Sequence, residues 1–459
     1  MRYVSTRGQA PELGFADVLL AGLATDGGLY MPQYVPVLLP PPTTGAPYAE
    51  IAAVVMLPFV GDDIAPDVLR EMCEESYATF RHPAVCPLVQ TGANEWLLEL
   101  FHGPTLAFKD VALQLVGRLF DHVLSARNER VTILGATSGD TGTAAIEGVK
   151  SCANVDIVIL YPHGRVSDVQ RRQMTTVDAP NVRTVAIEGT FDDCQDLVKA
   201  AFADAAFRDR MHLSAVNSIN WARVMAQIAY YVTASQSLGG RPVRFTVPTG
   251  NFGNVLAGWI AQEMGLPVEK FIIASNTNDI LTRTLHTGIM STNGVVPTLS
   301  PSMDIQVSSN FERLLFELNG RDGGMTADQM RQFRTSGSTR LEADQQHELR
   351  GRFSAHRVDD EGTLAIMRDV YAESGMLLDP HTAVGVGASR ALASTGLGGP
   401  EIILATAHPA KFPDAVVKAT GVHPPLPAHL ADLFDRPEHT TLLPSDLAAV
   451  QHFVETTFV

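Results

Sequence analysis

No apolar run in this 459-residue chain approaches the roughly 20 residues a helix needs to cross a bilayer, so no membrane span is predicted. Basic residues are also short: 34 Lys and Arg stand against 50 Asp and Glu, a formal charge of −16. Nucleic acid and anionic membrane surfaces are bound through basic patches that release counterions, so both are excluded as partners. A small anionic metabolite is not, provided its pocket is locally positive. The four cysteines (Cys73, Cys86, Cys152, Cys194) are scattered, with no C-x-x-C and no histidine at metal-ligand spacing. They exclude a disulfide scaffold, predict no metal site, and read as buried free thiols in a reducing compartment. The opening M-R-Y-V-S-T-R-G lacks the apolar stretch of a secretory signal, so the expected address is the cytoplasm. There is no low-complexity tract and no internal repeat. A chain of this length exceeds one core, and two or three domains are expected.

What is present is a βα rhythm. From Val131 onward, apolar runs at 131–136, 155–161, 182–187, 213–216, 243–247, 271–274 and 401–407 alternate with helical patterns. Such repetition implies an α/β fold with parallel sheets covered by helices on both faces. Thr190 and Asp193 have the spacing of a capping box, which sets a helix start, and Trp221 to Leu238 reads as a helix apolar on one face. Residues 1–95 lack the rhythm and read as an N-terminal domain. Residues 96–137 and 216–425 read as a large domain with a polar helical insertion at 301–361, 138–215 as a small mobile α/β subdomain, and 426–459 as a C-terminal tail. No oligomeric state can be read from the chain.

Four segments carry candidate chemistry. In F-H-G-P-T-L-A-F-K-D (101–110), an apolar strand from Trp96 to Phe101 feeds a turn. A helix then runs from Leu106 with Val111, Leu115, Leu119 and Val123 on its apolar face. Lys109 therefore sits past the carboxyl end of a strand, where open α/β sheets place their chemistry. A desolvated lysine there suits a Schiff-base amine, whereas an ordinary helix lysine is solvated. T-S-G-D-T-G (137–142), between a strand and a helix, can cup an anion or serve as a well-capped turn. P-T-G-N-F-G-N (248–254) lets the backbone approach a phosphate through Gly250 and Gly253, with Asn251 and Asn254 as added donors. It is neither a Walker A loop nor a Rossmann fingerprint, which argues against a nucleotide-binding oxidoreductase. Asn217, Ser218, Asn220 and Arg223 gather short polar groups and a guanidinium at a helix start, suited to a phosphate or carboxylate; singly they are an N-cap and a surface arginine. At the last strand, Thr406 ends E-I-I-L-A, His408 begins the next turn, and Lys411, past Pro409, is a competing lysine expected to be solvated.

Taken together, these pieces resemble the threonine synthases, pyridoxal-phosphate enzymes of the tryptophan-synthase-β-like fold. The resemblance runs through nearly the whole chain. Its motifs are Y-V-S-T-R-G, D-G-G-L-Y-M-P (26–32), the Lys109 motif, S-G-D-T-G (138–142), G-T-F-D-D-C-Q (189–195), N-S-I-N-W-A-R (217–223), G-N-F-G-N (250–254) and A-H-P-A-K-F (407–412). The long N-terminal region and 301–361 match the longer subgroup. The resemblance implies pyridoxal 5′-phosphate on Lys109, with its phosphate cupped by Gly250, Asn251, Phe252, Gly253 and Asn254. It further implies that Thr406 faces the pyridine nitrogen and Asp140 the phenolic oxygen, where many relatives carry Asn. The substrate would be O-phospho-L-homoserine, its carboxylate on Ser138, Gly139 and Thr141, its phosphate on Asn217, Ser218 and Arg223. A phosphohomoserine lyase or serine/threonine dehydratase of the same fold would share Lys109. A non-catalytic metabolite-binding relative would have no need of it.

Overall fold

Short apolar segments separated by amphipathic ones can bury both faces only as sheet strands under helices, and the chain does this twice. The computed structural model describes residues 1–38, 42–137, 139–215, 217–393 and 399–458. Two compact units result: Met1–His102 with Ser218–Pro424, and Gly103–Asn217 with Pro425–Val459.

The first unit is built on a six-stranded sheet in the order Phe353–Arg357, Val268–Ser275, Val243–Pro248, Glu401–Ala405, Glu95–Glu99, Leu88–Gln90. The first five strands are parallel and Leu88–Gln90 is antiparallel. Glu401 pairs in register with Arg244 on one side and Glu95 on the other. Its carboxylate also meets the Arg244 guanidinium at 2.9 Å, both side chains buried. One sequence expectation is corrected here. The 301–361 segment is not helical throughout: after the helices Phe311–Leu318, Gly323–Ser336 and Ala343–Arg352 it ends in Phe353–Arg357, an edge strand of the main sheet. The N-terminal residues 1–95 join this unit, with Leu88–Gln90 closing the opposite edge of its sheet and Tyr3–Ser5 pairing with Tyr30–Pro32. The two N-terminal motifs converge on one place. Thr6 Oγ1 and Arg7 Nη2 bind the Glu312 carboxylate at 2.7 and 2.9 Å, and Tyr30 O accepts from Arg313 Nε at 2.9 Å.

The second unit is an all-parallel five-stranded sheet ordered Thr441–Pro444, Val182–Glu188, Val155–Pro162, Val131–Ala136, Leu213–Ser214. Residues 426–459 are part of it rather than a tail. They supply the edge strand Thr441–Pro444 and a helix, Leu447–Thr457, whose Val450 and Val454 join the core of Leu134, Val158, Leu160, Val185 and Ile187. The Thr190–Asp193 capping box forms as its spacing predicts. The helices Lys109–Arg127 and Asp140–Val149 cross backbone on backbone. A Cβ on Gly117 would collide with Gly148 O, and one on Gly148 with Leu113 O.

Candidate active site

Lys109 is the first residue of the helix Lys109–Arg127. The helix starts three residues later than its periodicity predicts, because Leu106 turns the chain through the left-handed region (φ 64°). A leucine pays strain there, and its side chain is buried against Val169, Leu430 and Leu433. Asp110 fastens the same turn, accepting from Thr105 N at 2.8 Å and Thr105 Oγ1 at 2.7 Å. Lys109 is thereby held in the interior, 8% exposed, with Nζ 3.3 Å from Asp140 Oδ2. Asp140 opens its own helix, so its charge also suits the positive end of that helix dipole. Its other oxygen, Oδ1, accepts from Gln170 Nε2 at 2.8 Å. Gly139 stands just before it at φ 142°, while Ser138 lies outside the described residues. Thr141 is half-buried in the first turn of the Asp140 helix, and Asn217 is the last residue of this unit's central stretch.

In the first unit, the 249–254 loop and Thr406 follow the carboxyl ends of the neighbouring strands Val243–Pro248 and Glu401–Ala405. Phe252 adopts a left-handed conformation (φ 64°) and launches the helix Gly253–Glu263 without capping it; Val255 N donates to Asn254 Oδ1 and Leu256 N to Phe252 O, so the Gly253 and Asn254 N–H groups at the helix start are the ones placed for an anion. Asn254 contributes its side chain to the loop itself: Oδ1 accepts from Thr249 Oγ1 at 3.0 Å and Nδ2 donates to Pro248 O at 3.3 Å. Asn310 ties this loop to the 218 turn, its Nδ2 donating at 3.0 Å to both Asn251 O and Ser218 O. Arg313 holds Asn310 in turn, donating to its Oδ1 and to Ile219 O.

Arg223 is not the surface arginine its sequence context allows. It lies in the first turn of Trp221–Ser237, 5% exposed, and no acceptor among the described residues reaches its Nε or Nη1. Burial pulls its pKa from 12.5 down to about 10. Asn220, by contrast, takes the capping role, accepting from Ala222 N at 3.0 Å and donating to Leu19 O at 2.8 Å. His408 likewise caps its own turn, accepting from Ala410 N at 3.1 Å. Lys411 overturns the expectation of a solvated lysine, being fully buried.

Three comparisons bear on this arrangement. The chain matches the family "Pyridoxal-phosphate dependent enzyme" over residues 86–337, "Threonine synthase N terminus" over 2–77 and "Threonine synthase, C-terminal" over 382–454. It is 56% identical to the threonine synthase of Pseudomonas aeruginosa, covering 99% of this chain and 98% of that one. The chain belongs to the threonine synthase family. The crystal structure of pyridoxal-phosphate-bound threonine synthase from Brucella melitensis superposes with a TM-score of 0.96 at 54% identity, covering 100% and 99% of the two chains. The yeast threonine synthase structure gives 0.95 at 40% identity, covering 99% and 98%. A threonine synthase is a pyridoxal-phosphate-dependent enzyme acting on a small molecule, which agrees with an α/β fold in which no described helix is long and apolar enough to cross a membrane.

The residues present suit that cofactor. They include a buried primary amine beside a carboxylate, a helix N-terminus without a side-chain cap, and a buried threonine hydroxyl past a strand end. Sequence reasoning missed Gln170, Asn310 and Arg313. Gln170 had one available signal, since Ser167 three residues earlier marks a helix start that fixes which way position 170 faces.

Proposed function

We propose that this chain converts O-phospho-L-homoserine and water to L-threonine and inorganic phosphate in the cytoplasm. Beyond family membership, one observation carries the substrate: the buried guanidinium of Arg223, whose Nε and Nη1 meet no acceptor among the described residues. A charge held in the interior without a partner is costly. A phosphate ester supplies the absent acceptors through charge-assisted, bidentate bonds. The substrate of a serine/threonine dehydratase has no such group, which disfavours that reading.

When bound, pyridoxal phosphate supplies an electron-withdrawing ring that stabilises negative charge on the substrate carbons. The rest falls to the protein. Lys109 would hold the cofactor, and its Nζ, when free, would take the proton from Cα and move protons at Cβ. The loop Gly250 to Asn254, with the N–H groups of Gly253 and Asn254 at the helix start, would hold the cofactor's phosphate. The Thr406 hydroxyl pairs with the ring nitrogen as a neutral partner that does not enforce its protonation. Asp140 stands beside the phenolic oxygen. Ser138, Gly139 and Thr141 bind the substrate carboxylate, and Asn217, Ser218 and Arg223 its phosphate. The purified holoenzyme should release threonine and phosphate from O-phosphohomoserine in equal amounts. If 2-oxobutyrate replaces threonine, the chain is a phosphohomoserine lyase of the same fold and this reading fails.

A further inference from the structure

We infer that Asn310 is a positioning residue that fixes the spacing between the 250–254 loop and the 218–223 turn, and so between the cofactor's phosphate and the substrate's. The inference rests on the reading above, in which the loop takes the first phosphate and Arg223 the second. Asn310 stands at the cap position of the helix Phe311–Leu318, where an asparagine ordinarily accepts from the helix's own first N–H groups. It makes no such bond. Arg313 sets the orientation of its side chain instead. A guanidinium only donates, so the atom facing Arg313 Nη1 is Asn310 Oδ1, and the amide nitrogen faces the other way. There Nδ2 donates to two carbonyls, Asn251 O in the loop and Ser218 O in the turn, each at 3.0 Å. Asn310 is fully buried, so water does not compete for either bond.

Each bond acts on backbone that carries binding groups. Asn251 O accepts from Asn310 N as well, at 3.1 Å, and Gly250 O accepts from Ser308 Oγ at 2.7 Å. In a trans peptide the N–H points away from the C=O. Pinning these two carbonyls therefore turns the N–H groups of Asn251 and Phe252 to the face of the loop away from 308–310. On the other side, Arg313 Nη2 holds Ile219 O at 2.7 Å, and Arg223 N donates to Asn220 O at 3.1 Å. One turn of chain thus separates the Asn310 contact from the Arg223 guanidinium. A Cβ on Gly253 would stand 3.5 Å from Asn310 Nδ2 and 4.0 Å from Ser218 O, so loop and turn lie against one another at this amide. A displaced turn would misplace the phosphate that has to leave, and misplacement costs rate as well as binding.

The test uses the cofactor-loaded enzyme with a separate probe for each phosphate. Dissociation of pyridoxal phosphate, with the phosphorus NMR resonance of the bound form, reports the loop; inhibition by inorganic phosphate against O-phosphohomoserine reports the turn. Ser308→Ala touches the loop alone, so cofactor should leave faster while inhibition by phosphate is unchanged. Asn310→Ala removes bonds to both segments and should raise the cofactor's dissociation constant and the inhibition constant of phosphate by about tenfold each. Added to Arg223→Met, it should lower kcat/KM by less than about threefold further, because the phosphate it serves has already lost its partner. A residue that only steadies the fold would cost the same factor in both backgrounds. Should Asn310→Ala not fold, Asn310→Asp keeps the shape and the Arg313 contact while facing both carbonyls with an oxygen, and the same shifts are expected. If an Asn310 variant leaves either probe unmoved, or its cost is undiminished beside Arg223→Met, Asn310 does not set the spacing and the inference fails alone. If Arg223→Met itself leaves inhibition by phosphate unchanged, the substrate's phosphate binds elsewhere and the reading beneath the inference falls with it.

Discussion

Replacing Arg223 by methionine should make the protein more stable and a far poorer catalyst. The guanidinium is buried with two nitrogens unsatisfied among the described residues, and burial lowers its pKa from the ordinary guanidinium range to about 10. At about 1.4 kcal/mol per pH unit, this is a penalty of about 3 kcal/mol against the folded state. A base with a lowered folded pKa carries that penalty in full below about pH 10, and is relieved only as pH rises from there toward the ordinary guanidinium pKa. Measurements at pH 7 to 8 therefore see all of it. Methionine fills most of the same volume without the charge, so thermal unfolding in phosphate-free buffer should shift upward. In turnover the sign reverses. Charge-assisted bonds are worth about 1.5–3 kcal/mol each, so kcat/KM for O-phosphohomoserine should drop roughly ten- to more than a hundredfold. Part of that loss should appear in kcat, because the phosphate is also the leaving group. The visible absorption of bound cofactor should be unchanged. Unchanged turnover, or a variant that melts earlier, would refute the assignment of Arg223 to the substrate's phosphate. Loss of cofactor colour with normal substrate binding would mean the two phosphate sites have been exchanged.

Three further outcomes are expected. Borohydride reduction of the holoenzyme followed by peptide mapping should place the pyridoxyl group on Lys109; finding it on Lys411, also buried, would reassign the site. Glu401→Ala strands the buried Arg244 in the middle of the main sheet, and denaturant unfolding should register a loss of about 3–5 kcal/mol. Burial pushes the Cys73 and Cys152 thiols up to about 12 and Cys194 to about 11. They should be neutral at pH 8, so thiol reagents should label the native protein slowly, faster as pH rises, and all four cysteines at once after unfolding; rapid native labelling at pH 8 would contradict this.

The fold was legible wherever one signal repeated locally. Apolar runs marked the parallel strands, the Thr190–Asp193 spacing marked a helix start, and the stripe from Val111 to Val123 marked the Lys109 helix. Phe353–Arg357 escaped because F-S-A-H-R carries too few apolar residues to announce an edge strand, and its pairing with Val268–Ser275 is distant in sequence. At the candidate site, the turns that carry Lys109 and Asp140 stood out in the sequence, but the 3.3 Å approach of the two side chains did not. Gln170 was not legible, because D-V-Q-R-R-Q has the composition of a solvated helix and its contact lies 30 residues away. Arg313 was hidden for a similar reason: its acceptors are backbone carbonyls of Tyr30 and Ile219, which no side-chain pattern betrays. Lys411 was misjudged, since composition alone assigns long cationic side chains to the surface.

The crossing of the Lys109 and Asp140 helices has a consequence for how this sequence can drift. Gly117 and Gly148 abut main chain rather than side chain, so no rotamer or smaller neighbour can make room for a replacement at either one. A population of variants changing one residue at a time finds no neutral path through these two positions, however permissive the surrounding helix surfaces are. The amine-to-carboxylate spacing is thus inherited as a property of the backbone, and a designer who wanted that spacing in another scaffold would have to transplant the crossing along with the pair.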